Sequence, residues 1–456
     1  MGDDAAVPAP ELPGGFVFGT ATASYQIEGA VAEDGRGPTV WDTFSHTPGR
    51  IERGEHGDVA CDHYHRYADD VALMADLGHD AYRFSIAWSR IQAEGSGAPN
   101  PKGLDFYSRL VDELLAHGIR PSVTLFHWDT PQALEDAGGW LNRDTTERFA
   151  EYASIVAGHL GDRVSMWMPL NEPFVHSLLG HALGIHAPGK VLGAGVFPVI
   201  HHLLLGHGLA TQAIRSSAPG PTEVGIAQHL ALAHPATDDP ADAAAATAMQ
   251  TLHVEVFTDP VLRGRYPDLD TVFRELDTSA IHAADLATIA QPLDWFGVNY
   301  YTADYVQAAP PDFPATFVPT DPPTPGPRTA MGWEINPGGL TDVLVHLRDR
   351  YGDDLPPVYI TESGVAFDDR PDEAGFVQDD DRIAYLAAHL GAVRDAIDAG
   401  VDVRGYFTWS LMDNFEWAEG YRPRFGLVRV DYGTQQRTPK ASALWYRDLA
   451  AAHRTG

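Results

Sequence analysis

Two glutamates close short apolar runs half a chain apart. Glu172, in Asn171-Glu172-Pro173, ends the run from Val164 to Leu170, and Glu362, in Thr361-Glu362-Ser363-Gly364, ends the run from Pro357 to Ile360. Such runs read as buried strands, and a carboxylate at the C-terminal tip of a parallel strand sits where those folds place their chemistry. Two carboxyl groups meeting from separate strands form an acid pair, and the commonest chemistry of that pair is glycoside hydrolysis. Taken singly, a glutamate at a strand end is more often a salt-bridge partner than a catalyst. The pair means something only if the elements between bring both tips to one place.

Eight strand-like runs are expected, at residues 16–19, 81–87, 119–127, 164–172, 223–228, 295–301, 358–362 and 404–410. The second, third and fourth are continuous apolar stretches, as strands buried on both faces should be. Helical patterns separate them, at 63–77, 104–117, 144–160, 199–214, 339–351 and 381–399. In the first of these, Tyr64, Tyr67, Val71, Met74 and Leu77 recur at helical spacing and Gly78 stands at the stop; Gly118 does the same for the second. Strand and helix alternating eight times give an α/β fold, a single (β/α)8 TIM barrel with long βα loops. It is expected to span residues 16–452 as one catalytic domain behind a flexible N-terminal extension, 1–15. The Pro-rich stretch 309–327 follows the sixth strand and reads as a loop over the barrel mouth rather than an interdomain linker. Residues 241–248, rich in alanine, read as a surface helix.

Lys and Arg total 31 and Asp and Glu 63, a net charge of −32. That surface argues against nucleic acid and anionic membranes as partners, though a local arginine cluster could still hold a small anion. The single cysteine, Cys61, rules out an intramolecular disulfide and fits a reducing compartment. The first fifteen residues lack an apolar core with basic flanks, and no apolar stretch approaches about 18 residues, the length that spans a bilayer. A soluble, cytoplasmic protein is expected. Among 21 histidines, Asp62-His63-Tyr64-His65 has a His-x-His spacing that chelates on a strand, but here it opens a helix, where i and i+2 point apart. His201-His202 falls inside another helix. No functional metal site and no cofactor is expected, and no phosphate loop, serine elbow or dinucleotide fingerprint is present.

If the barrel forms, the strand tips make a ring. Gln26 follows strand one, Arg83 lies on strand two, His127-Trp128 end strand three and Asn171-Glu172 strand four. Asn299-Tyr300-Tyr301 end strand six, Glu362 strand seven and Trp409 strand eight, with Glu416 and Trp417 in the last loop. Neutral and anionic hydrogen-bonding groups suit sugar hydroxyls, and an indole suits the C–H face of a pyranose.

These segments also carry a resemblance. FVFGTATASYQIEGA at 16–30, YRFSIAWSRI at 82–91, TLFHWDTPQAL at 124–134, PLNEP at 169–173, GVNYY at 297–301, YITESG at 359–364 and FTWSLMDNFEWAEGY at 407–421 resemble glycoside hydrolase family 1 β-glucosidases. The resemblance runs from about Phe16 to Trp445. It implies a barrel enzyme that retains anomeric configuration, with Glu172 as general acid/base and Glu362 as nucleophile, their carboxyl groups about 5–5.5 Å apart. It further implies that Arg83, Tyr301 and Asn299 support the two glutamates. Gln26, His127, Asn171, Glu416 and Trp417 would bind glycone hydroxyls, Trp409 would stack beneath the ring, and Trp333 would border the leaving-group subsite. Trp128 and Phe425 complete the expected substrate-binding set.

Two departures stand out: Ser363 where the family usually has asparagine, and His181 where tyrosine is common, the latter expected to alter the aglycone side. The implied reaction is hydrolysis of terminal non-reducing β-D-glucosyl residues, with tolerance for β-galactosides and β-fucosides, on a small β-glucoside or oligosaccharide such as cellobiose. Two alternatives remain at this point. One is a 6-phospho-β-glucosidase, which would replace the Glu416-Trp417 pair and supply a cation. The other is a catalytically silent sugar-binding protein on the same fold. A homo-oligomer is left open.

Overall fold

The computed structural model describes residues 10–273, 276–313, 315–324 and 326–455, so positions 1–9 of the expected extension lie outside it. The rest of that extension is tied down: Leu12 is buried and Arg394 donates to the Glu11 carbonyl. Eight parallel barrel strands follow: β1 Val17–Ala21, β2 Ala81–Ser85, β3 Arg120–Phe126, β4 Met166–Leu170, β5 in two pieces at Glu223–Val224 and Ala227–His229, β6 Phe296–Asn299, β7 Val358–Ser363 and β8 Val403–Trp409. β1 pairs with both β2 and β8, and each later strand pairs with the next.

The ring closes through β5. Its first piece pairs with β4, Glu223 opposite Met166, and its second with β6, Ala227 opposite Gly297. Hydrogen bonds from Gly225 N to Trp167 O (2.9 Å) and from Gly297 N to Ile226 O (2.8 Å) carry the ladder across the break. Gly225 is required there, since a Cβ would lie 2.3 Å from the Trp295 indole. The sequence reading took 223–228 as one strand; its division reflects one strand serving two neighbours as the sheet curls.

Each expected helix is present, at His63–Asp76, Pro101–Ala116, Asp144–Leu160, Phe197–Ser217, Pro337–Tyr351 and Asp380–Asp398. Their apolar stripes face the barrel. Pro101–Ala116 buries Phe106, Tyr107, Leu110, Val111 and Leu114, and burial of such side chains is worth about 1.5–3 kcal/mol each. The helix His63–Asp76 stops where Gly78 takes φ +67°, a left-handed turn that favours glycine. A second, smaller apolar cluster includes Ala21, Ala81, Met166, Met168, Ala227 and Phe407, drawn from the strands themselves. A side-chain-filled barrel of this kind is a packed support rather than a pore.

Three expectations need amendment. The segment Gly193–Ser217 is long and apolar enough to cross a membrane by composition, with mean hydropathy 1.2, contrary to the reading that no stretch approaches that length. Of its most apolar 18-residue window 72% is buried within the fold, so its apolar surface is spent on the core. The Ala-rich helix Pro240–Gln250 buries Ala245, Ala246, Ala248 and Met249 and is exposed on its other side only. The Pro-rich stretch after β6 is more ordered than a loop: Phe317–Pro319 pairs antiparallel with Asp304–Ala308, which pairs in turn with Ala233–Pro235.

Candidate active site

Glu172 follows β4 in a left-handed conformation (φ +46°), its N–H held by Ala227 O of β5 at 2.8 Å, and Pro173 opens a short helix directly after it. Glu362 lies within β7. Both glutamates line one cavity of about 640 Å³ at the C-terminal ends of the strands, so the two tips do converge. His127, Trp128, Tyr301, Trp333, Trp409, Glu416, Trp417 and Phe425 share its wall. Another cavity, of about 600 Å³, lies beneath the opposite strand ends beside Phe16, Asp80 and Arg120 and contains no comparable pair.

The surroundings of the two carboxyl groups differ. Glu362 Oε1 accepts from Arg83 Nη1 at 2.6 Å, and Oε2 accepts from the Tyr301 hydroxyl at 2.7 Å. Arg83 is buried and held at every nitrogen: Nη1 also reaches Thr361 O (3.0 Å), Nη2 reaches Asn171 Oδ1 (2.5 Å), and Nε reaches Thr124 Oγ1 (3.2 Å) and Met168 Sδ (3.0 Å). Glu172 has one neutral donor, Asn299 Nδ2, at 2.6 Å from Oε1. The orientation of that amide is set by Thr361, whose hydroxyl donates to Asn299 Oδ1 at 2.6 Å.

Burial raises the pKa of both carboxyl groups, and like-charge repulsion from Glu362 raises Glu172 further, well above the ordinary range. On Glu362 the effect of burial is opposed by the Arg83 charge and by the bonds from Tyr301 and Arg83. The pair therefore holds its proton on Glu172. Tyr301, itself pushed well up by burial, stays a phenol and a donor.

A chain of assignments fixes the polarity of the opposite wall. Asn171 Oδ1 accepts from Arg83 and Asn299, so its Nδ2 donates to His127 Nε2 at 3.1 Å. The proton of His127 is then on Nδ1, which is buried and has no protein partner; burial and the Arg83 charge hold the ring neutral. Gln26 donates through Nε2 to Asn414 Oδ1 (3.0 Å) and Phe415 O (2.9 Å), which leaves Oε1 as an unpaired acceptor. Glu416 Oε2 is likewise buried and unpaired, and burial with the Glu362 charge pushes its pKa up to about 8. Unpaired buried polar atoms of both kinds cost free energy unless a ligand satisfies them, and a polyol does so.

The sequence-derived set thus converges: Arg83, Asn171 and Asn299 are fully buried and hold the carboxyl pair, and Gln26 is fully buried with its Oε1 left unpaired. His181 does not border the cavity; it is fully buried, with Nδ1 3.1 Å from His176 O, so the expected influence on the aglycone side has no direct route. Ser363 packs beside Tyr385, its hydroxyl 3.4 Å from the phenol. Val175 and Trp333 do border the cavity.

Sequence reasoning missed Phe174, His229 and Asp304. His229 Nδ1 lies 2.7 Å from His253 Nε2, His253 Nδ1 lies 2.5 Å from Asp304 Oδ2, and Phe174 stacks on His253 at 3.9 Å. His229 ends β5 and was legible as a strand-tip residue, but the strand was read one residue short of it.

A protonated carboxyl group beside an arginine-bound carboxylate, walled by indoles and unpaired polar atoms at the mouth of a (β/α)8 barrel, is the equipment of a glycosidase. Over residues 9–455 the sequence matches the model of glycosyl hydrolase family 1, and the chain belongs to that family. It is 51% identical to the thermostable beta-glucosidase B of Thermobispora bispora over 96% of this chain and 90% of that one. It is 48% identical to the bifunctional beta-D-glucosidase/beta-D-fucosidase of Bifidobacterium breve, over 97% and 98%. The solved family 1 β-glucosidase of Thermotoga maritima superposes with a TM-score of 0.92 at 44% identity, over 98% and 99% of the two chains.

Proposed function

We propose that this glycosidase hydrolyses terminal non-reducing β-D-glucosyl residues by double displacement with net retention. The observation that carries the reading is the asymmetry of the pair: Glu362 is bound by a guanidinium and a phenol, whereas Glu172 is bound by an amide alone. Ionised Glu362 attacks the anomeric carbon while Glu172 gives its proton to the departing oxygen, forming a glycosyl-enzyme ester and a free alcohol. Glu172, now ionised, takes a proton from water, whose oxygen attacks the same carbon and releases Glu362. Glu362 and then water supply the attacking electron pairs, Glu172 relays the proton, and the broken C–O pairs stay with the departing alcohol oxygen and then with the Glu362 carboxylate. Gln26 Oε1, His127 Nδ1 and Glu416 bind glycone hydroxyls, and the Trp409 indole lies under the ring.

Acceptance of β-fucosides and β-galactosides follows from the acceptor character of Gln26 and Glu416, which bind either orientation of a 4-hydroxyl. The relative from Bifidobacterium breve, named for both activities, supports the fucoside part. The cavity lining holds no arginine or lysine among the described residues, which disfavours a 6-phosphorylated glucoside.

The test is turnover of p-nitrophenyl β-D-glucoside by wild type and Glu362→Gly, with and without azide, beside the 6-phosphorylated substrate. Wild-type turnover, its loss in the variant and rescue as α-glucosyl azide support the scheme. A β-configured azide product would contradict retention through Glu362. Preference for the phosphorylated substrate, or sugar binding without turnover, would overturn the substrate assignment.

A further inference from the structure

On the rim of the barrel, away from the carboxyl pair, three side chains of one loop converge. His46 caps the helix Val40–Ser45, and its Nδ1 lies 2.7 Å from the Asp42 carbonyl. A carbonyl only accepts, so Nδ1 carries the proton and the lone pair of the neutral ring is on Nε2. That lone pair faces Asp58 Oδ2 at 3.3 Å, and His56 Nδ1 faces Asp58 Oδ1 at 3.2 Å. Asp58 Oδ1 is shielded from solvent yet receives no hydrogen bond. The two imidazoles stack at 4.6 Å, and one ligand atom from each of the three residues lies within 4.8 Å of the others.

We propose that His46, His56 and Asp58 bind a divalent transition-metal ion of the zinc class and that the ion staples residues 46–58 behind the loop bearing Glu416 and Trp417. Bond lengths of about 2.0–2.2 Å around a tetrahedral ion place neighbouring ligand atoms roughly 3.3–3.6 Å apart. Each imidazole already stands at 3.2–3.3 Å from one Asp58 oxygen, and a set within 4.8 Å closes on an ion by side-chain rotation at this exposed site. Two imidazoles and one carboxylate suit zinc, nickel or copper rather than calcium or magnesium. The Asp42 carbonyl behind His46 supplies the outer hydrogen bond that aims a ligating imidazole. Both histidines are about half exposed, which gives the ion an entry path and leaves a fourth position for water.

The consequence follows from what the loop touches. Glu52 N donates to Ala418 O at 3.0 Å, and Glu55 Oε2 accepts from Tyr421 N at 2.7 Å. The Tyr421 hydroxyl donates to His56 O at 2.9 Å, and Arg422 Nε reaches Glu52 Oε2 at 2.8 Å. Ala418 and Glu419 line the substrate cavity next to Glu416 and Trp417. An ion joining both ends of 46–58 therefore cross-links the backing of that wall.

The test is calorimetric titration of zinc chloride into the chelator-dialysed full chain at about pH 7.5. One saturable site is expected, weakened roughly tenfold or more in both His56→Ala and Asp58→Ala, with circular dichroism and metal-free activity retained by each. Zinc should also raise Tm and slow proteolysis within 46–58 in wild type only. No saturation below about 1 mM, or equal isotherms in wild type and both variants, would overturn the site and leave the contacts as histidine–aspartate ion pairs. Site-specific binding without a change in Tm or proteolysis would overturn the staple.

Discussion

Removing the Tyr301 hydroxyl tests how the acid pair is kept asymmetric. Tyr301→Phe deletes the 2.7 Å bond to Glu362 Oε2 and leaves Arg83, at 2.6 Å from Oε1, as the remaining side-chain donor to that carboxylate. A hydrogen bond to a charged group is worth about 1.5–3 kcal/mol, so at roughly 1.4 kcal/mol per decade kcat/KM should fall about 10- to 150-fold. The phenol stabilises the ionised form of Glu362, so its loss favours the neutral form and raises the pKa. The acid limb of the kcat/KM profile should move to higher pH by up to about one to two pH units. Phenylalanine fills the same buried place, so Tm should change little. Profiles of kcat/KM against pH on p-nitrophenyl β-D-glucoside measure both effects. A loss below about threefold with the acid limb unmoved would refute the assignment of Tyr301 as a support of Glu362.

Two further outcomes concern the scaffold. His207 is fully buried with both ring nitrogens unpartnered, and burial lowers its pKa to about 3. Its folded pKa lies below the unfolded value of about 6.5, so its contribution to stability is present above that value and is lost as pH falls towards the folded one. Denaturant unfolding of wild type relative to His207→Leu should therefore lose about 1.4 kcal/mol per pH unit below about pH 6.5, and a difference independent of pH would contradict this. Asp413 is buried between Lys440 Nζ at 2.9 Å and Arg424 Nη1 at 3.0 Å, and it also accepts from Gly426 N at 3.0 Å. Asp413→Ala strands a buried lysine against Asp369 alone and should cost about 3–5 kcal/mol in the same assay; a loss under about 1 kcal/mol would show that the cluster relaxes.

Local chemistry made much of the barrel legible. The runs before Glu172 and Glu362 are apolar because both faces of their strands are covered, and the stripe from Tyr64 to Leu77 is helical because one face is. The small sheet of Ala233–Pro235, Asp304–Ala308 and Phe317–Pro319 was not legible, since its pieces are three to five residues long and draw their partners from distant segments. His181 misled for a related reason: its position in the chain suggested the cavity, but the path of the chain after Glu172 turns its ring inward against His176.

The sequence by itself determined which residues are available for acid–base work and which elements carry them, because strand and helix periodicities are local properties. Only the tertiary structure decided that Arg83 and Tyr301 grip one glutamate and not the other. It also decided that Asn299 is oriented by Thr361, that His229 joins His253 and Asp304 beside the cavity, and that His46 meets Asp58. Proton placement depends on burial and on charges a few ångströms away, and those distances exist only once a closed sheet brings strands from across the chain to one rim.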